Sequence, residues 1–69
     1  MTAREVVRQL KALGCKQVRQ RGSHARFVSP SGRCAVTVPM HRGRVIPIGT
    51  LMSIERTMYP CLGAKWLHG

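Results

Sequence analysis

Carboxylates are almost missing from this chain. Glu5 and Glu55 are its only acidic side chains in 69 residues. Nucleases that work through two metal ions hold them with clusters of carboxylates, so this composition argues against a Mg²⁺-dependent mechanism, and no cofactor or metal is expected. Cysteine is sparse as well: Cys15, Cys34 and Cys61. An odd number at wide spacing, with no C-x-x-C, argues against a disulfide framework and against a structural zinc site. A reducing cytoplasm is the expected location. No apolar run approaches the ~20 residues of a membrane helix, and the charged first turns do not suit a signal peptide. So short a chain has room for one small domain with a modest core. Its apolar share, 43%, is ordinary for a globular protein and argues against disorder.

What the chain has in excess is positive charge. Twelve Lys and Arg oppose the two acids, for a net charge of +10. Most of these cations are arginine, whose planar fork grips phosphate. Nucleic acid is the leading partner class. A membrane surface is disfavoured, because the basic residues do not lie on a helix with a large apolar face. Free, such a surface repels itself, and an acidic protein that covers it is also implied.

The elements follow in order. Thr2-Ala3-Arg4-Glu5 reads as a capping box. Ala3, Val6, Val7, Leu10 and Leu13 then fall on one helical arc, predicting a helix over about 3–13 with Gly14 as its stop. Residues 16–21 form a polar, β-prone run. Gly22-Ser23 suits a two-residue hairpin loop of the Gly-first type, and residues 24–29 return as a second strand. Ser29-Pro30-Ser31-Gly32 is a second turn, and residues 34–38 make a third strand that Pro39 ends. Pro47 suits the first turn of a second helix. Ile48, Leu51, Met52, Ile54 and Met58 share its apolar arc, Glu55 intrudes on that arc, and Tyr59-Pro60 should end it. Glu55 should pair with a nearby Arg or Lys, or the helix should stop early. Met40, Met52 and Met58 read as core. The domain is expected to span 1–58. Residues 59–69 form a tail without periodicity, whose Leu62, Trp66 and Leu67 should fold back on the domain or on a partner; His68 reads as a loose end. The order α-β-β-β-α predicts an α+β fold: a three-stranded antiparallel meander with two helices on one face, the layout of a double-stranded-RNA-binding domain.

One stretch concentrates the chemistry: Arg19-Gln20-Arg21-Gly22-Ser23-His24-Ala25-Arg26-Phe27. Strand alternation puts His24, Arg26 and Val28 on one face and Ala25, Phe27 and Ser29 on the other. Phe27 should enter the core, which leaves His24 and Arg26 facing solvent together, where one phosphate could reach both. Gly22 and Ser23 position the turn. Arg19, Arg21, Arg26, Arg42 and Arg44 are candidate phosphate clamps; the plainer alternative is a solvated basic face, which is also the reading for Lys16 and Arg33. Ser23 has no acid partner for a triad. No pair of histidines has ligand spacing on one element.

Four blocks of the chain resemble the HicA-like toxins, small bacterial mRNA interferases of toxin–antitoxin modules. They are Arg19 to His24, Ser29 to Arg33, Val36 to His41 and Gly49 to Ile54. The resemblance implies a double-stranded-RNA-binding-like fold and metal-independent cleavage of single-stranded mRNA. It also implies a catalytic histidine matching His24 and an acidic HicB-like antitoxin over the active face. The sequence departs from the family pattern at Ala25, where a larger residue is common, and at Glu55, where leucine is usual. The tail lies beyond the shared blocks.

The chemistry can be stated without the name. The 2′-hydroxyl of RNA can attack its own phosphate if a proton is taken from it and another is given to the leaving 5′-oxygen. Histidine suits such transfers. Flanking guanidiniums favour a neutral His24 ring and therefore a base role in the first step. His41, in the basic loop after the third strand, is the candidate second acid/base group; the alternative is a loop histidine that contacts RNA or caps the second helix. Two rival readings stay open: an inactive RNA-binding module of the same fold, and a DNA-binding accessory protein, disfavoured for want of a helix-turn-helix.

Overall fold

The computed structural model describes residues 1–41 and 43–68. Helix α1 spans Ala3–Ala12. It begins where the sequence supplies a reciprocal cap. The Glu5 N–H donates to Thr2 Oγ1 at 3.3 Å, and the Thr2 N–H donates to Glu5 Oε1 at 2.9 Å. The bonds from the Thr2 backbone and side chain hold the Glu5 carboxyl below its ordinary range. The contribution of that carboxylate to the helix start is therefore full at neutral pH and fades as pH falls through its lowered value. Ala3, Val6 and Leu10 turn into the core. Leu13 does not: the helix stops one residue earlier, and Leu13 becomes a partly exposed cap. Gly14 follows at φ +87°, where an added Cβ would also meet Pro30 Cγ at 3.0 Å. Only glycine satisfies both the backbone and the neighbour.

The sheet is an antiparallel meander in the order β1-β2-β3, with β1 at Lys16–Arg21, β2 at His24–Val28 and β3 at Ala35–Pro39. Ala25 and Phe27 of β2 and Val36 and Val38 of β3 are buried beneath the helices. The second turn is closed by Ser29. Its N–H donates to the Cys34 carbonyl at 2.9 Å, and its buried Oγ accepts from the Cys34 N–H at 3.2 Å. β1 is different. All six of its residues are exposed, and it leans on β2 and little else. A register shift between Gln17 and Arg19 marks a bulge that leaves Val18 unpaired, which raises local twist at a sheet edge.

Helix α2 runs over Ile48–Leu62 and departs from expectation at both ends. Pro47 is the residue before the helix rather than part of its first turn. Pro60 does not end it. Proline forfeits one helical N–H, but so close to the C-terminus little is lost. The chain stays helical until Gly63, whose N–H donates to the Tyr59 carbonyl at 2.9 Å. Ile54 and Met58 are buried, whereas Ile48 and Met52 face solvent. Met52 is therefore not core. The apolar arc is narrower than expected because the helix packs chiefly on β3 and the tail.

That tail completes the core. Trp66–His68 forms a short 3₁₀ turn in which Trp66 and Leu67 are buried. Trp66 Nε1 donates to the Glu55 carbonyl at 3.0 Å, and Gln9 Nε2 donates to the Trp66 carbonyl at 3.1 Å. The tail thus ties α2 to α1. Among the described residues Glu55 has neither an Arg nor a Lys partner: its Oε2 lies 3.6 Å from Nε2 of His68 and takes no hydrogen bond. His68 closes the 3₁₀ turn, its N–H donating to the Lys65 carbonyl at 2.9 Å, and is no loose end.

The cysteine expectation also needs correcting. Cys34 and Cys61, 27 residues apart in sequence, form a disulfide, and Cys15 is free and buried. α2 runs back along β3, so its last turn reaches the residue that precedes that strand. Sequence separation hid this pair, because proximity is created only by packing. Closing a loop of this length stabilises by about 2–4 kcal/mol. Reductant should therefore lower the melting temperature of the wild type and leave Cys34→Ser/Cys61→Ser unchanged. Equal melting of the wild type with and without reductant would show that the crosslink carries no stability. Burial pushes the Cys15 thiol up, so alkylation at pH 8 should wait for unfolding.

Candidate nucleic-acid interface and active site

The candidate site grows from one turn. Gly22 takes φ +55°, and Ser23 is not among the positive-φ residues. This is the pattern of a Gly-first hairpin, which the local sequence requires because only glycine enters that region freely. The turn sets the register of everything beside it. Arg21 stands opposite His24, and Arg19 opposite Arg26, on neighbouring strands. On the far side of β2, His24 faces Pro39 and Arg26 faces Thr37. Residues directly opposite share a face, so the open face of the sheet carries two ranks: Arg21, His24, Pro39, and then Arg19, Arg26, Thr37.

Arg19, Arg21, His24 and Arg26 are all exposed. Neither acidic side chain, Glu5 or Glu55, belongs to this face. Glu5 belongs to the α1 cap, and Glu55 lies beneath the tail with its Oε2 3.6 Å from His68 Nε2. Like charges directly opposite repel, and Arg19 and Arg26 accept that cost. Arg26 is steered by Thr37, to whose Oγ1 its Nη1 donates at 3.2 Å. Sequence reading missed Thr37, whose role appears only once β2–β3 register is known.

His41 lies elsewhere at the same end of the sheet. The Met40 N–H donates to the Ser23 carbonyl, which carries the β2–β3 ladder one step past Pro39. The following loop therefore leaves beside the turn that bears His24. It is tied down by the Ile46 N–H, which donates to the Met1 carbonyl at 2.8 Å. His41 is exposed and lines a cleft of ≈ 570 Å³ with Thr2, Arg4 and Met40 at the start of α1. It shares that cleft with Arg4 rather than standing in the ranks with His24. Arg44 is exposed in the same loop, its N–H donating to the His41 carbonyl at 3.2 Å. Arg42 lies outside the described residues. No group of three His, Cys, Asp or Glu side chains gathers among the described residues, and no helix is long and apolar enough to cross a membrane.

The chain is a small α+β domain of the double-stranded-RNA-binding type, with an apolar sheet face under two helices and an arginine-rich face left open. A family model described as the HicA toxin of bacterial toxin–antitoxin systems matches residues 3–58, and the chain belongs to that family. It is thus the toxin half of a pair whose other half is an antitoxin. No curated protein and no solved structure matches the chain. The family match takes in α1, the sheet and most of α2, but not the tail that carries Trp66.

Proposed function

We propose that this toxin is a metal-independent endoribonuclease that cuts single-stranded mRNA in the cytoplasm and so inhibits translation. The observation that carries the reading is the pairing of His24 with Arg21, beside the Arg19–Arg26 pair, on an exposed face with no carboxylate. In this reading the arginines hold the phosphates on either side of the scissile bond. His24 takes the proton from the 2′-hydroxyl as its oxygen bonds to phosphorus. The bond from phosphorus to the 5′-oxygen breaks, and that oxygen takes a proton from an acid, for which His41 is the candidate. The products are a 2′,3′-cyclic phosphate and a 5′-hydroxyl. Arg21 and Arg26 also stabilise the extra negative charge of the transition state. An acidic HicB-like antitoxin that covers this face would both neutralise its charge and block the strand.

The test is purified protein, single-stranded RNA and EDTA. Fragments ending in cyclic phosphate are expected. Cleavage only on adding Mg²⁺ would overturn the mechanism, and salt-sensitive binding without cleavage would leave an RNA-binding module.

A further inference from the structure

A second feature begins at the Arg26–Thr37 end of the second rank and leaves the hairpin. Between the free edge of β3 and the flank of α2 runs a groove of ≈ 320 Å³, lined by Arg26, Thr37, Thr50, Ser53 and Thr57 over a floor that includes Ile54. The three α2 residues sit at i, i+3 and i+7, so their hydroxyls form one row, about 10 Å long at 1.5 Å of rise per residue. Thr57 Oγ1 donates to the Ser53 carbonyl at 2.8 Å and keeps its lone pairs as acceptors.

The strand edge opposite adds donors. The Ser29–Cys34 and Ser23–Met40 bonds fix which β3 groups turn toward β2. By the alternation of an antiparallel ladder, the N–H and C=O groups of Ala35 and Thr37 both point outward, toward the groove. The next outward position is Pro39, which has no N–H. Two donors followed by proline make a poor template for an added protein strand. Hydroxyls, amides and one guanidinium, with no carboxylate among the lining residues, suit sugar and phosphate oxygens instead. Arg26 joins the two places: it stands next to the His24 rank and also lines the groove. The Cys34–Cys61 disulfide links the residue before β3 to the last turn of α2, at one end of the groove.

We propose that this groove is a sugar–phosphate track that carries the RNA strand away from His24, across β3 and along α2. The inference rests on the ribonuclease reading and extends it to residues outside the hairpin.

The experiment measures anisotropy of a fluorescein-labelled single-stranded RNA against full-length His24→Ala protein. The parent is compared with Thr50→Ala/Ser53→Ala/Thr57→Ala, Ser53→Glu, Arg21→Ala, and Met52→Ala on the opposite flank of α2. The triple variant should bind about tenfold or more weakly, as three modest hydrogen bonds imply. Ser53→Glu, a single exposed change that keeps the fold, should weaken binding in the same direction. Met52→Ala should stay within about twofold. Groove variants that bind like the parent, while Arg21→Ala weakens binding, would overturn the track and leave the ribonuclease reading standing. Groove variants that keep RNA but no longer bind the antitoxin would assign the groove to the protein partner and overturn the track equally. A parent that binds no RNA would remove both readings together.

Discussion

Replacing His24 by alanine should lower the rate of RNA cleavage by about 10²–10⁴-fold, the usual worth of one positioned acid or base, while RNA affinity changes little. The asymmetry follows from position. His24 is exposed at the first residue of β2, and its backbone pairing with Arg21 and Pro39 does not depend on its ring. Loss of the side chain therefore removes a proton acceptor but no packing. The arginines proposed to hold the RNA remain. Single-turnover cleavage and anisotropy on the same preparation separate the two effects. Equal cleavage by both proteins would move the catalytic group elsewhere, with His41 the first residue to replace.

Replacing Trp66 by alanine should remove from about a third of the domain's stability to all of it. Truncating a buried tryptophan costs about 3–5 kcal/mol, and a domain of this length holds roughly 3–10 kcal/mol in total. Trp66 is 4% exposed, and both of its polar groups bridge to helices: the indole N–H to Glu55 and the carbonyl to Gln9. Trp66→Phe keeps most of the packing and loses one hydrogen bond, so it should cost about 1 kcal/mol from that bond plus a smaller packing term. Circular dichroism melts of the two variants measure both. If Trp66→Ala melts within a few degrees of wild type, the domain ends near residue 58 and the tail is an appendage.

Much of the fold could be read locally, and the parts that could not have a common cause. The capping box at Thr2, the Gly22-Ser23 hairpin and the alternation of β2 are encoded within a few residues, and each stands where its local chemistry put it. The exposed pairing of His24 with Arg21 follows directly from that hairpin. Three features depended on contacts between distant segments. Cys61 met Cys34 only because α2 runs back along β3. Glu55 met the tail, which bonds its backbone carbonyl through Trp66 and brings His68 near its carboxylate, while Oε2 stays buried without a hydrogen bond. Pro60 looked like a terminator because the residue before proline avoids helix as a rule, whereas packing of the last turn overrode that preference. In the candidate site, the hairpin residues could be named from spacing. Thr37, Thr50, Ser53 and Thr57 could not, since an isolated hydroxyl carries no signal until register and helix phase place it beside an arginine.

The sheet extends one strand beyond the layer that covers it. β1 contributes Arg19 and Arg21 to the open face, yet none of its residues is buried. Fold and function are therefore separable along the chain. Substitutions in β2 and β3 that reach the core should damage both at once, but Gln17, Arg19, Gln20 and Arg21 can vary with little effect on folding. If the open face holds RNA as proposed, an overhanging strand of this kind gives selection a place to retune that grip without rebuilding the domain. Variants that escape toxicity while remaining folded should accumulate there.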